Sequence, residues 1–290
     1  MKYFILYNPI SGNGKGGAEL DKVKALMDSE YEVYDVTKIE DYKTLIAGLA
    51  PDDALVLSGG DGTINRFVNS IEGIELKNTV YYYAAGTGND FLHDIEGAKE
   101  GELLRLNEYI KDLPIVTVNG KDYRFINGVG YGIDGYCCEE GDKLRGKSDK
   151  PVNYTSIAIK GLLFFFKPVT ATVTVDGVDY VYKKVWIAPT MNGRLYGGGM
   201  MPTPAQDRLN KDRDISLMLF HGTGKLKTLM IFPSLFKGEH VKHTEAIAIH
   251  KGKEITVKFD RPTALQIDGE TFLNVTEYTA RSAALDVAKV

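Results

Sequence analysis

Three glycine-rich segments in the first hundred residues have the composition of phosphate-binding loops. They lie at residues 8–17 (NPISGNGKGG), 58–63 (SGGDGT) and 85–91 (AGTGNDF). Glycine lets backbone N–H groups come close to a ligand, and the start of a following helix presents unpaired N–H groups to a phosphate. The three segments therefore predict a site for a phosphorylated ligand.

The first segment fits two known phosphate motifs only in part. Residues 12–17 match the dinucleotide pattern G-x-G-x-x-G, but Asn8 and Pro9 separate these glycines from the preceding apolar run. The P-loop pattern fails because Lys15 is followed by Gly16 instead of Ser or Thr. Taken alone, the first segment leaves a phosphate site and an ordinary turn-rich connection equally open.

The second segment places a carboxylate among its glycines. Asp61 lies between Gly60 and Gly62, next to a predicted helix start, where its charge would repel a phosphate unless Mg²⁺ bridges the two. Capping the helix that follows is an equally good role for Asp61. Thr63 has the same two interpretations, a helix cap or a phosphate contact.

The surrounding residues predict the elements that position these segments. Apolar runs typical of buried strands, at residues 3–7, 31–36, 54–57 and 80–84, alternate with helical periodicity at residues 20–27, 42–49 and 64–71. This alternation predicts a doubly wound α/β domain with a mostly parallel sheet. The glycine segments follow three of the strands, so we expect them to meet at the carboxyl edge of the sheet, where ligands of such folds bind.

The chain changes character near residue 113. Short β-rich runs follow at residues 116–118, 173–182, 185–187, 215–220, 246–249, 255–259 and 265–267, with helical stretches chiefly at 154–166 and 225–236. Turn signals such as Asn119-Gly120 and Asp176-Gly177 separate several runs. The second half is therefore predicted to be a β-sandwich or barrel.

Composition excludes several classes of protein. The 290 residues include 31 glycines and carry a net charge of −4, without the clustered basic residues of a nucleic-acid reader. We therefore expect no nucleic-acid partner. The most apolar stretch, residues 157–166, is interrupted by Lys160 and is half of the ~20 residues that a spanning helix needs. The N-terminus lacks the pattern of a signal peptide, and the adjacent Cys137 and Cys138 could form only a strained disulfide, so we expect the protein in the reducing cytoplasm.

Taken together, the motifs resemble a known family. NPxSG, GGDGT and GTGNDF resemble the nucleotide-binding signature of the diacylglycerol kinase catalytic domain, which bacterial lipid kinases share with ceramide and sphingosine kinases. INGVGYGID at residues 126–134, YGGGM at 196–200 and QIDGE at 266–270 resemble that family's second-domain motifs in the same order. GGDGT alone also occurs in NAD kinases and, in related form, in phosphofructokinases, whereas the combination is far more specific to lipid kinases.

The resemblance implies an N-terminal nucleotide-binding α/β domain at residues 1–113 and a C-terminal β-sandwich at 114–276, as in NAD kinases and diacylglycerol kinases. Residues from about 277 to 290 are expected to return to the first domain, and ATP to bind in the cleft between the domains. Motif matching implies these ATP-binding residues: Asn8, Ser11, Lys15, Thr37, Gly59, Gly60, Asp61, Gly62, Thr63, Thr87 and Asn89. Thr37 rests on its position after the second strand instead of on a motif.

The resemblance also implies two catalytic carboxylates. Glu270 matches the family's proton acceptor, and a carboxylate beside an attacking alcohol is chemically suited to position it and take its proton. Asp61 is expected to help organise Mg²⁺. The plain alternative is that Asp268-Gly269 forms a hairpin turn and that Glu270 is a solvated rim residue.

A structural metal site is implied in the acidic loop of the second domain. Asp212 matches the acidic ligand, and the carbonyl groups of Leu209 and Asp214 would complete an oxygen site for Mg²⁺ or Ca²⁺. Arg213 stands where the family pattern has glycine, and a side chain at this position disfavours the loop conformation and therefore the metal site.

Two further features bear on the membrane. Residues 162–166 (LLFFF) could line an acyl-chain pocket or touch a membrane, although apolar runs are more often core. A basic cluster, Lys143, Arg145, Lys147 and Lys150, is interspersed with acidic residues that cancel its charge.

The sequence thus predicts a cytoplasmic, ATP- and Mg²⁺-dependent lipid kinase that contacts the membrane surface peripherally and phosphorylates a hydroxyl of diacylglycerol or a similar lipid. A kinase of a soluble acceptor such as NAD and a catalytically silent nucleotide-binding regulator are the two alternatives. The sequence does not determine the oligomeric state, and a homodimer stays open.

Overall fold

The computed structural model describes residues 1–147 and 152–283 of the 290-residue chain. Two compact units divide the chain, Met1–Asp112 and Leu113–Val290. Within the described residues, no helix is both long and apolar enough to cross a membrane.

The first unit is built on a five-stranded sheet in the order β2-β1-β3-β4-β5. Its strands are β1 (Tyr3–Tyr7), β2 (Tyr31–Asp35), β3 (Ala54–Gly59), β4 (Thr79–Ala84) and β5 (Leu104–Arg105). The first four are parallel, and β5 runs antiparallel to β4. The strand order reverses between β1 and β3, as in a doubly wound fold, so the predicted fold class of this unit is confirmed.

The helices of the first unit follow the strands. They are α1 (Ser11–Gly14), α2 (Gly16–Ala25), α3 (Tyr42–Ala47), α4 (Asp61–Ser70), α5 (Asp90–Asp94) and α6 (Asn107–Ile110). Helix α4 buries Ile64, Phe67 and Val68, which share one face because they are three and four residues apart. Burial of this face fixes the direction in which the start of α4 points.

The second unit is a β-sandwich, as predicted. Among its described residues the strands are β6 (Ile115–Val118), β7 (Lys121–Arg124), β8 (Gly128–Tyr131), β9 (Val169–Val175), β10 (Val178–Val185), β11 (Thr190–Met191), β12 (Ile215–Phe220), β13 (Ile247–Gly252), β14 (Glu254–Ile267) and β15 (Glu270–Arg281). Strand β14 pairs with β9 through its first half and with β8 through its last three residues. The register shifts in between, so this one strand joins both parts of the sheet around the core.

The hairpin signals at Asn119-Gly120 and Asp176-Gly177 are confirmed, since they connect β6 to β7 and β9 to β10. The separate runs predicted at 255–259 and 265–267 are one strand, β14, interrupted by an irregularity. Strand β15 was not predicted. It carries residues 277–281 in the second unit's sheet, where Tyr278 to Arg281 pair with β6, while residues 284–290 lie outside the described part of the chain.

Short helices pack on the sandwich. They are α7 (Ile133–Arg145), α8 (Tyr154–Lys160), a π-helical turn (Gly161–Phe165), α9 (Lys225–Ile231) and two 3₁₀ segments (Phe232–Lys237 and Glu239–Lys242). Helix α7 was missed because two of its residues are glycines, which disfavour a helix. A Cβ atom on Gly135 would collide with the carbonyl of Ala264, and one on Gly141 would lie 2.6 Å from the Tyr154 ring. The glycines therefore allow close packing of α7.

Candidate functional site

The three glycine loops, residues 8–17 (loop 1), 58–63 (loop 2) and 85–91 (loop 3), come together at the carboxyl edge of the first sheet. They follow β1, β3 and β4, which are neighbours in the sheet. The Asn8 side-chain amide donates to Thr63 Oγ1 over 2.9 Å, which joins loop 1 to loop 2. The Asp61 carboxylate accepts the N–H groups of Asp90 and Phe91, at 2.8 and 3.2 Å, and so joins loop 2 to loop 3.

Glycines are required where the backbones of these loops approach one another. A Cβ atom on Gly86 would lie 2.6 Å from the Cα atom of Gly60. One on Gly12 would lie 2.9 Å from the Ala85 carbonyl oxygen. Such contacts are too short for any side chain, so the glycines let the loops interlock as well as expose backbone N–H groups.

Asp61 is the first residue of α4 and does not occupy its N-cap position. Gly60 is the N-cap residue, so the interpretation of Asp61 as the N-cap of this helix is wrong. Its carboxylate instead accepts the N–H groups of Asp90 and Phe91 at the start of α5. Because these donors offset its charge, Asp61 is a smaller obstacle to an anion at the start of α4 than the sequence suggested.

The side chains of Asn8 and Ser11 shape loop 1. Asn8 Oδ1 accepts the Ile10 N–H at 3.2 Å, while the Ser11 hydroxyl donates to the Asn8 carbonyl at 2.8 Å. Thr63 is buried, and a Cβ atom on Gly59 would collide with it. The assignment of these residues to ATP stays a prediction.

The remaining predicted residues of loops 1 and 3 fall into two groups. Lys15 and Thr87 are exposed. Asn89 is buried in a left-handed conformation, with φ 49°, and its side-chain oxygen accepts the Gly86 N–H at 3.0 Å. Asn89 thus closes loop 3 on itself, while Lys15 and Thr87 present side chains to solvent.

Thr37 lies in a pocket at the end of β2. Its N–H and hydroxyl groups both donate to Asp35 Oδ1, at 2.9 and 2.6 Å. The pocket has a volume of about 450 Å³ and is also lined by Tyr42 and by Arg66 of α4. The hydrogen bonds described above between the glycine loops do not involve Thr37.

Two buried hydroxyl groups near the glycine loops were not expected to matter. Ser58, in loop 2 itself, and Tyr82, in β4, have no hydrogen-bond partner among the described residues. Burial raises the pKa of Tyr82 well above its usual value, and the negative charges of Asp61 and Asp90 add to this. Tyr82 therefore stays neutral at physiological pH.

In the second unit, Asp268 and Gly269 form a two-residue turn between β14 and β15. Their φ angles are 46° and 95°, and Ile267 pairs directly with Glu270 across the turn. The hairpin alternative for Asp268-Gly269 is therefore correct. Glu270 is exposed as the first residue of β15, and its catalytic role stays a prediction.

The Asp268 carboxylate holds the segment that leads into β8. It accepts the N–H groups of Ile126, Asn127 and Gly128, at 2.6, 2.9 and 3.0 Å. These three bonds tie the QIDGE motif to the INGVGYGID motif, which lies about 140 residues earlier in the chain. They also fix the turn that carries Glu270.

Buried polar side chains complete this arrangement. Arg208 donates to the Ile126 carbonyl at 3.0 Å and to Asn127 Oδ1 at 3.1 Å. Asn192 donates to the same Ile126 carbonyl at 3.0 Å. Neither residue was singled out from the sequence, because no local pattern links positions so far apart.

Asp134 is a buried carboxyl group that the sequence did not single out beyond its motif. It is the second residue of α7 and accepts the Tyr196 hydroxyl at 3.0 Å and the Gly135 N–H at 3.0 Å. Burial raises its pKa to about 6, although both hydrogen bonds oppose the rise. A Cβ atom on Gly130 would collide with Asp134 Oδ2 and with Gln266, so glycine is needed beside this carboxyl.

The acidic loop of the second unit fits the implied cation poorly. The Asp214 carbonyl already accepts the side-chain amides of Gln206 and Asn210, at 2.9 and 3.0 Å, which uses both of its lone pairs. The Asp212 carbonyl accepts the Lys253 ammonium at 3.1 Å. The assignment of a metal to Leu209, Asp212 and Asp214 stays a prediction, and we derive no chemical step from it.

The described residues contain no group of three or more His, Cys, Asp or Glu side chains that could hold a metal. Arg213 adopts a φ of 55°, so this loop takes the left-handed conformation without the expected glycine.

Comparisons with known proteins agree with this architecture. Residues 2–113 match the diacylglycerol kinase catalytic domain, and residues 127–288 match the YegS C-terminal NAD kinase beta sandwich-like domain. The chain is similar to a diacylglycerol kinase of Mycobacterium tuberculosis, 24% identical over 89% of this chain and 85% of the relative.

A diacylglycerol kinase of Bacillus subtilis is also 24% identical, over 92% of this chain and 88% of that relative. The crystal structure of a diacylglycerol kinase from Bacillus anthracis shares the fold, with a TM-score of 0.58 and 17% identity over 97% of this chain and 94% of that one. This chain therefore belongs to the diacylglycerol kinase family, in which a diacylglycerol kinase catalytic domain precedes a YegS-type β-sandwich.

Proposed function

We propose that this protein is an ATP-dependent lipid kinase that transfers the γ-phosphate of ATP to a hydroxyl of diacylglycerol or a similar long-chain lipid. The observation that carries the proposal is the interlocking of three glycine loops at one edge of a parallel sheet, in a chain of the diacylglycerol kinase family. That edge is where doubly wound folds bind phosphorylated ligands.

The nucleotide phosphates would bind at the start of α4. The first N–H groups of a helix have no partner within the helix, and its dipole favours negative charge there. Loops 1 and 3 add backbone from either side. The pocket of about 450 Å³ beside Thr37 and Arg66 has a volume suited to a nucleoside. Mg²⁺ bound with the nucleotide would offset the charge that develops on the transferred phosphoryl group.

Glu270 would act on the acceptor. The acceptor oxygen attacks the γ-phosphorus, the bond from that phosphorus to the β,γ-bridging oxygen breaks, ADP leaves, and the hydroxyl proton passes to the Glu270 carboxylate. The three hydrogen bonds of Asp268 support this role, because they hold the turn in a single position. A fixed carboxylate positions its substrate better than a mobile one.

A panel of acceptors tests the proposal. Purified protein is incubated with labelled ATP and Mg²⁺, and with diacylglycerol, ceramide and sphingosine in mixed micelles or NAD in solution. We expect label in a long-chain lipid and none in NAD. Phosphorylation of NAD without any lipid product would replace the proposal with a kinase of a soluble acceptor.

Substitution of Glu270 separates a kinase from a silent nucleotide-binding protein. We expect Glu270→Gln to lower kcat by about 100-fold or more while ATP binding is retained. Glu277→Gln is the matched control, because Glu277 is an exposed carboxylate on the same strand. ATP binding without turnover in the parent protein would favour a silent regulator instead.

A further inference from the structure

We propose that the second unit docks on an anionic bilayer through four exposed apolar side chains, Phe164, Phe165, Leu226 and Met230, here called the docking patch. The inference rests on the proposed function, since a kinase of long-chain lipids must reach a bilayer. The docking itself can be measured without any phosphoryl transfer.

The docking patch has an exposure that is unusual for large apolar residues. Phe164 and Phe165 are 71% and 64% exposed, and Leu226 and Met230 are 74% and 75% exposed. Single exposed apolar residues are common on protein surfaces, but a group of them marks an interaction surface. Residues 162–166 were predicted to be either core or surface. Leu162 and Phe166 are buried in the core, whereas Phe164 and Phe165 are exposed.

The two elements that carry the patch are neighbours. The Lys225 ammonium at the start of α9 donates to the Leu163 carbonyl in the π-helical turn over 2.7 Å. Beneath them, Leu162, Phe166 and Ile231 belong to one buried cluster. Because the inward faces of both elements are already packed, the patch residues face outward.

The charge around the patch selects an anionic bilayer as the occupant. The segments 152–175 and 222–238 contain five lysines and no acidic residue, in a chain whose net charge is −4. These lysines are Lys160, Lys167, Lys225, Lys227 and Lys237, and all five are exposed. Lysines near an anionic membrane surface each add to its attraction. A second copy of the chain is a poorer occupant, since a symmetric contact would place lysines against lysines.

The other basic cluster in this unit offers no such attraction. Lys143 contacts Glu139 and Glu140, each at 2.7 Å, and Arg145 contacts Asp142 at 2.6 Å. This agrees with the cancellation expected from the sequence, and Lys150 lies outside the described residues. Of the five lysines around the patch, Lys227 contacts a carboxylate among the described residues, that of Glu245 at 2.8 Å.

A pocket of about 320 Å³ opens at the edge of the patch. Phe165 lines it together with Lys167, Arg261 and Leu273, and one acidic residue, Glu139, also lines it. Basic side chains therefore outnumber acidic ones in this pocket beside the patch.

Vesicle sedimentation tests the docking. Partition of the full chain is measured, without ATP, onto phosphatidylcholine vesicles with roughly 30% phosphatidylglycerol and onto pure phosphatidylcholine. We expect binding to the anionic vesicles, weaker binding in high salt, and at least about a tenfold loss for the double variant Phe164→Ser/Phe165→Ser. The matched control is Val178→Ser/Val181→Ser, which removes two exposed apolar residues from β10 of the same unit.

Two further measurements distinguish a loss of docking from a loss of folding or of catalytic activity. Unfolding followed by the fluorescence of Trp186, the chain's single tryptophan, should be unchanged in the double variant, because its side chains are exposed. Activity on a short-chain, water-soluble diacylglycerol should also be unchanged, while activity on vesicles falls. Absence of vesicle binding by the parent protein, or equal binding by the Phe variant, would overturn the docking patch.

A second copy as the occupant would give a distinct result: light scattering would show a dimer that the Phe variant breaks, with vesicle binding unaltered, and this also overturns the proposal. Failure of the proposed function looks different again. The parent protein would then bind anionic vesicles through the patch but phosphorylate no lipid.

Discussion

Asp61 in loop 2 and Asp268 in the turn before β15 each precede a glycine, and each carboxylate holds a distant segment by its backbone. Asp61 accepts two N–H groups at the start of α5, and Asp268 accepts three ahead of β8. In both units a motif residue that could be assigned to chemistry also organises the neighbouring loop. These bonds also fix the residues that follow each carboxylate, which are Gly62 in loop 2 and Gly269 with Glu270 in the turn.

The glycines in the two places serve different purposes. Asp268 and Gly269 both have positive φ angles, which the two-residue hairpin turn requires. In loop 2, Asp61 is the first residue of a helix, and the glycine that matters is Gly60, whose Cα lies against Gly86. In the second unit the Asp-Gly pair thus supplies the positive φ angles of a hairpin turn. In the first unit the Asp-Gly pair begins a helix, and the glycine before it allows two loops to pack closely.

A third Asp-Gly pair gives an internal reference. Asp176 and Gly177, with φ angles of 47° and 83°, connect β9 to β10. The Asp176 carboxylate accepts the N–H groups of Lys253 and Glu254 at 2.9 and 2.8 Å, in an exposed setting. Water can replace this carboxylate more easily than that of Asp268.

The largest expected effect is that of Asp268→Ala. It leaves three part-buried N–H groups without their charged acceptor and places Ala at a positive φ, so we expect the second unit to lose about 4 kcal/mol of unfolding free energy. Denaturant unfolding followed by Trp186 fluorescence measures this. Asp176→Ala is the control, with a loss of about 1 kcal/mol, and equal losses for the two variants would remove the distinction between them.

Asp61→Asn should affect activity more than stability. The variant keeps one acceptor oxygen but loses the charge, and we expect kcat to fall about 100-fold, equivalent to about 2.7 kcal/mol. Hydrogen exchange of the Asp90 and Phe91 amides should quicken by about tenfold, because the start of α5 is held less firmly. Unchanged exchange would show that Asp61 does not fix loop 3 in solution.

Strands β1 to β4 and helices α2 to α4 of the first unit were predictable because each signal is local, whereas the shorter β5, α1, α5 and α6 were not predicted. The run at residues 3–7 matches β1, and the run at 80–84 falls within β4, since buried parallel strands are continuous apolar segments. The meeting of the glycine loops also followed from the sequence, as the carboxyl ends of neighbouring parallel strands share one edge.

The arrangement of the second unit could not be predicted because it depends on contacts between residues far apart in the sequence. Asp268 and Arg208 reach the segment 126–128 from about 140 and 80 residues away, and only the order of motifs suggested a connection. Helix α7 was obscured by glycines that serve packing against Ala264 and Tyr154. Tertiary contacts decided these positions, and local propensity could not indicate them.

Asp134 differs from Asp61 and Asp268 because burial disfavours the charged form of its carboxyl group. Its folded pKa, about 6, lies above the usual value of 3.8, so folding favours the protonated form. The stability gained is present below about pH 4 and is lost as the pH rises through about 6. We expect the parent protein to lose about 2 kcal/mol across this window relative to Asp134→Asn, measured by Trp186 fluorescence at each pH. A constant difference would place Asp134 in a more polar environment.

The smallest expected effect concerns the acidic loop, where side-chain N–H donors bind the carbonyl groups that were expected to bind a cation. If amides and Lys253 hold the carbonyls of Asp214 and Asp212, as the structure indicates, then EDTA or added Mg²⁺ should shift Tm by no more than about 1 °C without nucleotide. Lys253→Met should cost up to about 1 kcal/mol, since its ammonium bond is exposed. A rise of several degrees with millimolar Mg²⁺, lost in Asp212→Asn, would instead establish a cation at this loop. Protein N–H donors would then be the established partners of the Asp61 and Asp268 carboxylates but not of the acidic loop.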